Sequence, residues 1–304
     1  MEKSGMNHKV ICFGEVLWDD FGDTKKIGGA PLNVCYHLSK LNVDAVIVSQ
    51  VGDDELGRGI IRQLNEWNLM GKYCQASPSY ETSTVLVNVL ENGEVQYTIR
   101  EHVAWDFIPY NGQLAEEIKN AAAFVYGTLA ARSPFTRDTL LRYLELAPWK
   151  VLDLNLRPPY VNKEVLLQLI RSCHSLKLNR DELGYVMTML GEQVRTEKES
   201  IEAVFTAFGN IQEIILTKGA EGASYCNRRE QINVEALSVE VVDTVGSGDS
   251  FLAAFIGGRL NGMGNEQVFS NAAVLSAFIA TCQGACPSYT LQTLEEFKQK
   301  YYAV

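Results

Sequence analysis

The sequence predicts an α/β fold in which helices flank a mainly parallel β-sheet. Short apolar segments, such as residues 9–14 and 213–217, have the length and composition of buried strands. Between them lie longer segments with apolar residues at helical spacing, for example Leu56, Ile60 and Leu64. One further pair of segments has the pattern of a hairpin and predicts strands outside the parallel sheet.

The composition is that of an ordinary globular protein. The 304 residues, 46% hydrophobic and 21% charged, are enough for a large core. The net charge of −10 argues against non-specific binding to nucleic acid, and no run of lysine or arginine contradicts this. A nucleotide ligand is compatible with the acidic balance, because its phosphates need only local donors.

No segment has the pattern of a signal peptide or a membrane span. The first nine residues are polar, and the longest apolar stretch, residues 272–280, is far too short to span a membrane. The seven cysteines are odd in number and lie mostly in apolar surroundings, which indicates reduced thiols. The four histidines are scattered, which disfavours a Cys/His metal site. We therefore expect a cytoplasmic protein with neither a nucleic-acid nor a membrane partner.

The most informative segment, residues 243–249, reads Asp-Thr-Val-Gly-Ser-Gly-Asp and precedes an apolar helix. Gly246 and Gly248 permit a tight turn that brings backbone N–H groups close to a ligand. The helix start adds unpaired N–H donors and the positive end of its dipole, which suits a phosphoryl group. Asp249 beside this site suits a base that deprotonates an attacking hydroxyl. The alternative is a capped helix after a flexible turn, with an acid favoured by the dipole.

Two polar segments lead into the first predicted helix. Acids follow the strand at residues 9–14, where open α/β sheets bind ligands, and Asp19 among them is able to bind hydroxyl groups. Residues 26–33 then read Lys-Ile-Gly-Gly-Ala-Pro-Leu-Asn. Gly-Gly allows close backbone approach, Pro31 suits the first helical turn, and Asn33 is placed to face a ligand. A solvated turn is the alternative for the acids.

The predicted hairpin comes after a strand at residues 45–51 and a helix. Residues 82–90 alternate in polarity, Glu-Asn-Gly-Glu at 91–94 predicts the turn, and residues 95–99 return. Arg100 at the end of the second strand either reaches a substrate or is solvated.

Polar side chains end the next two strands. The strand at residues 151–155 ends in Asp-x-Asn-x-Arg, so Asp153, Asn155 and Arg157 are expected to point to one side, as a ligand site or as a buried polar cluster. A strand at residues 175–178 leads to Asn179-x-x-Glu182, which by itself predicts a helix capping box. We interpret Lys177 as structural.

The last strand motif is Thr217-x-Gly219-x-x-Gly222, after the strand at residues 213–217. The P-loop string Gly-x-x-x-x-Gly-Lys-Ser/Thr is absent. Two helices follow the 243–249 segment, and Asn271 on the second is either a ligand contact or a surface amide.

Together these motifs resemble the PfkB carbohydrate kinases, also called the ribokinase-like family. Residues 243–251 match its second signature, with Ser247 where alanine is usual. Residues 28–33 and 52–57 are similar to its first signature, in the fructokinase-like branch, since the Gly-Gly-Lys-Gly-Ala-Asn string of ribokinases is absent. The resemblance covers residues 9–302, with the motifs in the family's order.

The resemblance implies a fold and a mode of assembly. The fold is a three-layer α/β/α ribokinase-like domain over residues 1–304 with a mainly parallel central sheet. Inserted in it is a small β-sheet lid, formed by about residues 17–27 and 82–101, which covers the sugar site. Because such lids often carry the dimer contact, we expect a homodimer.

The resemblance also implies roles for individual residues. Asp249 is the catalytic base, and the backbone of Gly246, Ser247 and Gly248 forms an anion hole with Arg157 nearby. Sugar contacts are expected at Gly29, Asn33 and Asn155, to which the chain positions add Asp19 and Arg100. Nucleotide contacts are expected at Asn179, Thr217, Gly219, Gly222, Gly246, Gly248 and Asn271. Glu182 organises hydrated Mg²⁺, and the Asp243 loop can hold a monovalent cation such as K⁺.

The predicted activity is ATP-dependent phosphorylation of a sugar primary hydroxyl, with fructose as the first choice. Ribose, 2-keto-3-deoxygluconate and a nucleoside are alternatives, of which the nucleoside is mildly disfavoured because few large aromatic residues, apart from Trp18 and Trp105, lie near the sugar motifs. A catalytically silent sugar or nucleotide sensor is an alternative of another class, against which Asp249 and both glycines argue. No strand–Gly-x-Gly-x-x-Gly–helix unit near the N-terminus supports a dehydrogenase.

Overall fold

A computed structural model describes residues 9–69, 72–89, 95–193 and 196–302 of the chain. Its strands are β1 (Val10–Phe13), β2 (Leu17–Asp20), β3 (Lys25–Gly28), β4 (Ala45–Gly52), β5 (Tyr73–Ser77), β6 (Ser83–Val89), β7 (Val95–Ile99), β8 (Ala123–Gly127), β9 (Lys150–Asp153), β10 (Ser175–Asn179), β11 (Glu213–Thr217), β12 (Ala223–Asn227) and β13 (Gln231–Val234). Its helices are α1 (Ala30–Lys40), α2 (Glu55–Glu66), α3 (Gly112–Lys119), α4 (Pro134–Leu144), α5 (Lys163–Ser172), α6 (Arg180–Leu190), α7 (Glu197–Ala207), α8 (Ser247–Leu260), α9 (Asn265–Ala280) and α10 (Leu291–Tyr302).

The central sheet has nine strands in the order β13-β12-β11-β10-β9-β8-β1-β4-β5. Every neighbouring pair from β11 to β5 is parallel, and β12 and β13 are added antiparallel at one edge. The mainly parallel sheet predicted from the alternation of strands and helices is therefore confirmed. The chain runs from β1 to β4 on one side and later to β8 on the other, so the order reverses between β1 and β8. A crevice at the carboxyl ends of the strands is expected at such a point.

Helices cover both faces of this sheet and make three layers. Alternate residues of β1 show this directly, because successive side chains of a strand point to opposite faces. Ile11 and Phe13 belong to one apolar core, which includes residues of α3 to α7. Val10 and Cys12 belong to a second core, which includes residues of α1, α2, α8 and α9.

A second, smaller sheet has four strands in the order β3-β2-β6-β7. Strands β6 and β7 are antiparallel, as expected for the predicted hairpin, while the predicted turn at residues 91–94 lies outside the described residues. Strand β2 begins four residues after the end of β1, so the small sheet starts at the carboxyl edge of the central sheet. The crevice therefore has the small sheet at its entrance.

The structure differs from the sequence interpretation in a few elements. Strands β5, β12 and β13 were not predicted, since each has only four or five residues and none is a continuous apolar run. Strand β9 ends at Asp153, and Asn155 beyond it has a positive φ of 40°, so the predicted alternation does not extend to that residue. Within the part of the chain that the structure describes, no helix is both long and apolar enough to cross a membrane.

Candidate active site

The start of helix α8 lies among the loops at the carboxyl ends of the strands. Gly246 caps the helix with φ 80°, and a Cβ on it would lie 2.6 Å from the Cβ of Ala285, so glycine is needed for both conformation and space. Gly248 has an ordinary φ, but a Cβ there would lie 3.3 Å from Nζ of Lys177. The second glycine of the motif thus permits close approach of a lysine, a reason that the sequence alone did not show.

The first turn of α8 leaves backbone donors for a ligand. The N–H of Ser247 donates to Thr244 O at 3.2 Å, and Ser250 donates to Gly246 O at 2.8 Å. The N–H groups of Gly248 and Asp249 lie between these two and precede any possible intrahelical partner. The side-chain oxygen of Ser247 is enclosed and has no hydrogen-bond partner among the described residues. The donors available to an anion are therefore the N–H groups of Gly248 and Asp249, at the positive end of the helix dipole.

Asp249 faces the crevice from the first turn of α8. Asn33 Nδ2 of α1 donates to its Oδ2 at 2.7 Å, which joins two residues 216 positions apart. Desolvation is the largest influence on this carboxyl and raises its pKa to about 6, with a further rise from Asp153. Lys177, the Asn33 hydrogen bond and Arg157 act in the opposite direction. The group is thus ionised at neutral pH yet is more basic than an exposed aspartate.

A buried ion pair lies behind this carboxylate. Lys177 Nζ of β10 is 2.8 Å from both carboxylate oxygens of Asp153 at the end of β9, and the lysine residue is only 7% exposed. Burial alone would lower the pKa of Lys177, but the carboxylates of Asp153 and Asp249 raise it above the ordinary value. The sequence suggested a purely structural role for Lys177, but the structure also places its charge near Asp249. The signal in the sequence was a lone lysine between Leu176 and Leu178 of a buried strand, since a buried charge needs a partner.

Glu15 is a further acid at the site; it is one of the acids that follow the first strand, but the sequence analysis singled out only Asp19 among them. It follows β1, is 3% exposed, and its Oε2 has no hydrogen-bond partner among the described residues. Burial is the main influence and raises its pKa to about 7. The N–H groups of Glu15 and Ala30 and the charge of Arg157 lower the pKa, while Asp249 raises it.

Replacement of Glu15 by glutamine is expected to stabilise the protein at pH 8 but not at pH 4. Because the folded-state pKa of about 7 lies above the ordinary 4.5, the native state loses stability as pH rises through this range. The amide carries no charge and escapes this loss, which we put at ~3 kcal/mol above pH 7. Urea unfolding of both proteins at the two pH values measures the difference. An equal effect of the substitution at both values would contradict the assignment.

Arg157 and Asp19 lie at the mouth of the crevice, beside Glu15 and Asp249. Arg157 is exposed, and its charge lowers the pKa of Glu15, Asp19 and Asp249, which places the guanidinium among three carboxyl groups. Asp19 on β2 is half-buried, and desolvation raises its pKa to about 6. Gly29, with φ 118°, lies so close to the Glu15 carbonyl that no Cβ would fit. The structure thus brings these predicted contacts to one edge of the sheet.

The acid side of the pH–rate profile is expected to follow Asp249. A base must be ionised, so kcat/KM should fall about tenfold per pH unit below pH 6, the value to which its pKa is raised. Removal of the Asn33 amide in Asn33→Ala deletes an interaction that lowers this pKa, so the acid limb should move to higher pH. Initial rates from pH 5 to 8 for both proteins measure the two limbs. A wild-type profile that stays flat down to pH 5 would exclude Asp249 as the titrating base.

Glu182 is occupied as a helix cap. Its Oε2 accepts the N–H of Asn179 at 2.8 Å, and Asn179 Oδ1 accepts the N–H of Glu182 at 2.9 Å, so the capping box is complete. Its Oε1 accepts the N–H of Leu156 at 2.8 Å. Burial raises the pKa of this glutamate. The sequence interpretation left the cap to Asn179 alone, so that Glu182 was available for magnesium. In the structure both carboxylate oxygens of Glu182 accept backbone N–H groups. Only the remaining lone pairs of these oxygens are left for a hydrated Mg²⁺.

The predicted nucleotide residues follow β11. Thr217 ends the strand, and its Oγ1 is 3.5 Å from Leu178 O. Gly219 has φ 57° with open space around its Cα. Gly222 has φ 91° and backs closely onto the backbone of Val234, so its glycine is explained by the turn into β12. These residues lie at the carboxyl end of the strand next to β10, which carries Asn179.

Asn271 and Arg100, which were predicted to contact ligands, lie apart from the residues around Asp249. Asn271 Nδ2 is 3.5 Å from Met263 Sδ, and its Oδ1 accepts Lys298 Nζ at 3.0 Å. Met263 follows the last turn of α8, and a 14-residue helix spans about 21 Å, so Asn271 lies far from the first turn. Arg100 is 52% exposed and pairs with Glu81 at 3.1 Å, which supports the solvated alternative.

Asp243 braces two loops beside α8. Its Oδ1 accepts the N–H of Val245 at 3.0 Å, and its Oδ2 accepts the N–H of Gly284 at 2.9 Å. The carboxylate thus already holds two backbone donors. Among the described residues there is no group of three or more His, Cys, Asp or Glu side chains that could hold a metal ion.

Known proteins share both the sequence pattern and the fold. An ATP-dependent 6-phosphofructokinase of Thermoanaerobacterium thermosaccharolyticum is 27% identical over 281 residues, covering 84% of this chain and 82% of its own. Probable fructokinase-5 of Arabidopsis thaliana is 24% identical, covering 92% and 93%.

Solved structures superpose over nearly the whole chain. Fructokinase with bound ATP from Xylella fastidiosa superposes with a TM-score of 0.83 at 20% identity, covering 97% of this chain and 99% of its own. A Vibrio cholerae fructokinase double mutant in a fructose-, ADP- and potassium-bound form superposes with a TM-score of 0.81 at 19% identity, covering 97% and 99%. At this identity the superpositions show the fold, which is that of ribokinase-like kinases. The sequence profile of the pfkB family carbohydrate kinases matches residues 6–292, and the chain therefore belongs to the PfkB family of carbohydrate kinases.

Proposed function

We propose that this carbohydrate kinase transfers the γ-phosphoryl group of ATP to the 6-hydroxyl of fructose. The observation that carries the proposal is the first turn of α8, where the carboxylate of Asp249 lies beside the free N–H groups of Gly248 and Asp249. A base and an anion site on one helical turn are what in-line transfer to a hydroxyl requires.

Each part of the site has its own role in the transfer. Asp249 accepts the proton of the acceptor hydroxyl, and Asn33 holds its carboxylate in place at 2.7 Å. The N–H groups of α8 face the phosphoryl oxygens, and the charges of Lys177 and Arg157 favour negative charge there. Asp19, Gly29 and Asn155 are proposed to contact the sugar, while Asn179, Thr217 and Gly219 lie toward the nucleotide.

Mg²⁺ and K⁺ belong to the proposal. Magnesium would neutralise phosphate charge, held by the nucleotide, by water and by the remaining lone pairs of Glu182. This fits the structure, because each Glu182 oxygen accepts only one hydrogen bond from the described residues. Potassium beside the Asp243 loop is supported by the Vibrio cholerae fructokinase double mutant, which was solved in a potassium-bound form. Because the Asp243 carboxylate already accepts two N–H groups, backbone carbonyl groups would supply most of the ligands.

Fructose is the proposed acceptor because relatives of this chain are named fructokinases and the mouth suits a polyol. Half-buried Asp19 and buried Asn33 offer hydrogen bonds, and Trp105 is fully buried in the core, where it cannot stack on a base. Ribose, 2-keto-3-deoxygluconate and a nucleoside remain alternatives. The relative named 6-phosphofructokinase adds fructose 6-phosphate, whose phosphate would need a cation such as exposed Arg157.

We also propose a cytoplasmic homodimer with the small sheet as its lid. All seven cysteines are free, and such thiols suit a reducing compartment. Leu86 and Phe21 of the small-sheet region are 46% and 44% exposed, an apolar surface that a second copy would cover. Lid closure would exclude water and limit ATP hydrolysis. Light scattering after gel filtration tests the assembly, and a monomer at micromolar concentration would contradict it.

The test of function is acceptor-dependent ADP release with Mg-ATP. The panel is fructose, fructose 6-phosphate, ribose, glucose, 2-keto-3-deoxygluconate and adenosine. Turnover that is highest on fructose supports the full proposal, and turnover on another member keeps the chemistry but replaces the substrate. Sugar binding without any turnover would favour a silent sensor.

A further inference from the structure

One face of helix α1 is bonded to residues 285–289, the segment that follows α9. Tyr36 donates to the carbonyl of Pro287 at 2.6 Å, and Cys286 Sγ is 3.4 Å from Asn33 Oδ1. His37 bonds Ala285 O and the hydroxyl of Tyr289, both at 2.9 Å. Asn33, Tyr36 and His37 stand at spacing i, i+3, i+4 and therefore share one side of the helix. We call the contacts of Tyr36 and His37 with residues 285–289 the α1 clasp.

His37 is the centre of the clasp and acts as a neutral ring. It is 0% exposed, and burial lowers its pKa to about 4. Because a carbonyl oxygen only accepts, Nε2 carries the proton toward Ala285 and Nδ1 accepts from the Tyr289 hydroxyl. Both ring nitrogens are thus used, and the ring is an orienting group rather than a proton carrier.

The clasped segment supports the turn that starts α8. Ala285 is the residue against which Gly246 packs, with Cα and Cβ at 2.7 and 2.6 Å from the position of a Gly246 Cβ. The neighbouring Gly284 donates its N–H to Asp243 at 2.9 Å, on the same turn. A shift of Ala285 toward Gly246 would therefore press on the turn that presents the N–H groups of Gly248 and Asp249.

The same face of α1 also reaches the acceptor side. Asn33 donates to Asp249 through Nδ2 and accepts from Cys286 through Oδ1, so its amide is held from both ends. Helix α1 begins directly after Gly29, one of the proposed sugar contacts. One rigid helix thus contacts both the acceptor site and the segment that holds the anion site.

We propose that the α1 clasp is a positioning device that aligns the acceptor site with the anion site at α8. His37, oriented by Tyr289, acts through Ala285, and Tyr36 acts through Pro287 of the same segment. None of the three is proposed to touch a substrate. The proposal rests on the proposed kinase function and adds three positioning residues to it. Rate in such sites is sensitive to displacements of about 1 Å, which can cost 10²-fold, so small shifts of this segment should be seen in kcat.

Matched phenol deletions test the clasp. Tyr289→Phe and Tyr36→Phe each remove one hydroxyl that the clasp uses and keep the ring. Tyr126→Phe is the control, because its buried hydroxyl also donates to a carbonyl, Leu169 O at 3.0 Å, but in the opposite core. All three should lower Tm to a similar degree. Only the clasp variants should lower kcat, by about tenfold, with both KM values within about twofold of wild type.

Two outcomes would overturn the proposal. One is wild-type kcat in both clasp variants, and the other is an equal fall of kcat in Tyr126→Phe. If wild type turns over no panel sugar, the proposed function fails, and hydrogen exchange then decides on the clasp. Faster exchange of the hydrogen-bonded amides of Ser247 and Ser250 in Tyr289→Phe than in Tyr126→Phe would support it, and equal exchange would refute it.

Discussion

Asp249→Asn is expected to lower kcat on the acceptor sugar by ~10²–10⁴-fold while the protein stays folded. Asparagine keeps the shape of the side chain and an oxygen that can accept the hydrogen bond from Asn33, which is 2.7 Å long in the native protein. It cannot accept the proton of an acceptor hydroxyl. The loss should therefore fall on kcat, with the Kd of Mg-ATP changed little. ADP release and nucleotide titration calorimetry measure the two effects.

A suitable control is Asp44→Asn, which changes an exposed aspartate directly before β4. Asp44 lies at the amino ends of the parallel strands, opposite the edge that carries the site, so its amide variant should leave both turnover and nucleotide binding close to wild type. Turnover of Asp249→Asn within tenfold of wild type would remove Asp249 from the base role. Loss of nucleotide binding in that variant would indicate misfolding instead.

Lys177→Met is expected to have the second-largest effect, on stability and on rate together. It leaves the carboxylate of Asp153, which is 3% exposed, without its cation, and breaking a buried pair in this way costs about 3–5 kcal/mol. It also removes a positive charge that lowers the pKa of Asp249. The acid limb of kcat/KM should therefore move to higher pH, because the base now holds its proton more tightly. Urea unfolding and the pH–rate profile measure the two changes.

The double variant Lys177→Met, Asp153→Leu separates these effects. Apolar replacement of both partners of a buried ion pair is often neutral for stability, so unfolding should return toward wild type. The rate at pH 7 should stay low, because no cation remains behind Gly248. Recovery of kcat together with stability would show that Lys177 serves only the fold.

Some of the site was predictable because its residues are close in the chain. Gly246, Gly248 and Asp249 lie within one turn, and a turn followed by a helix start is a local property. The strand pattern of β1, β4, β8 and β11 was equally local, since buried parallel strands are continuous apolar runs. The capping box at Asn179 was also visible from its spacing.

Other parts depended on pairs that are distant in sequence. Lys177 and Asp153 are 24 positions apart, and His37 and Tyr289 are 252 positions apart, so no window of sequence contains their contacts. The order of the motifs led us to predict a nucleotide contact at Asn271. Which way its side chain points from α9 depends on how that helix packs against α8. Glu15 was only one of several acids after the first strand, and its burial, which distinguishes it from a solvated acid, appears only in the structure.

The sequence by itself determined the family, the alternation that builds the sheet, and the helix turn that carries Asp249. These follow from short-range constraints: which residues suit a strand, which tolerate positive φ, and which begin a helix. Only the tertiary structure decided the ionisation of Asp249 and Glu15 and the partners of Lys177 and His37. The reason is physical, because desolvation and Coulomb interactions depend on distances in space, and folding sets those distances between residues far apart along the chain.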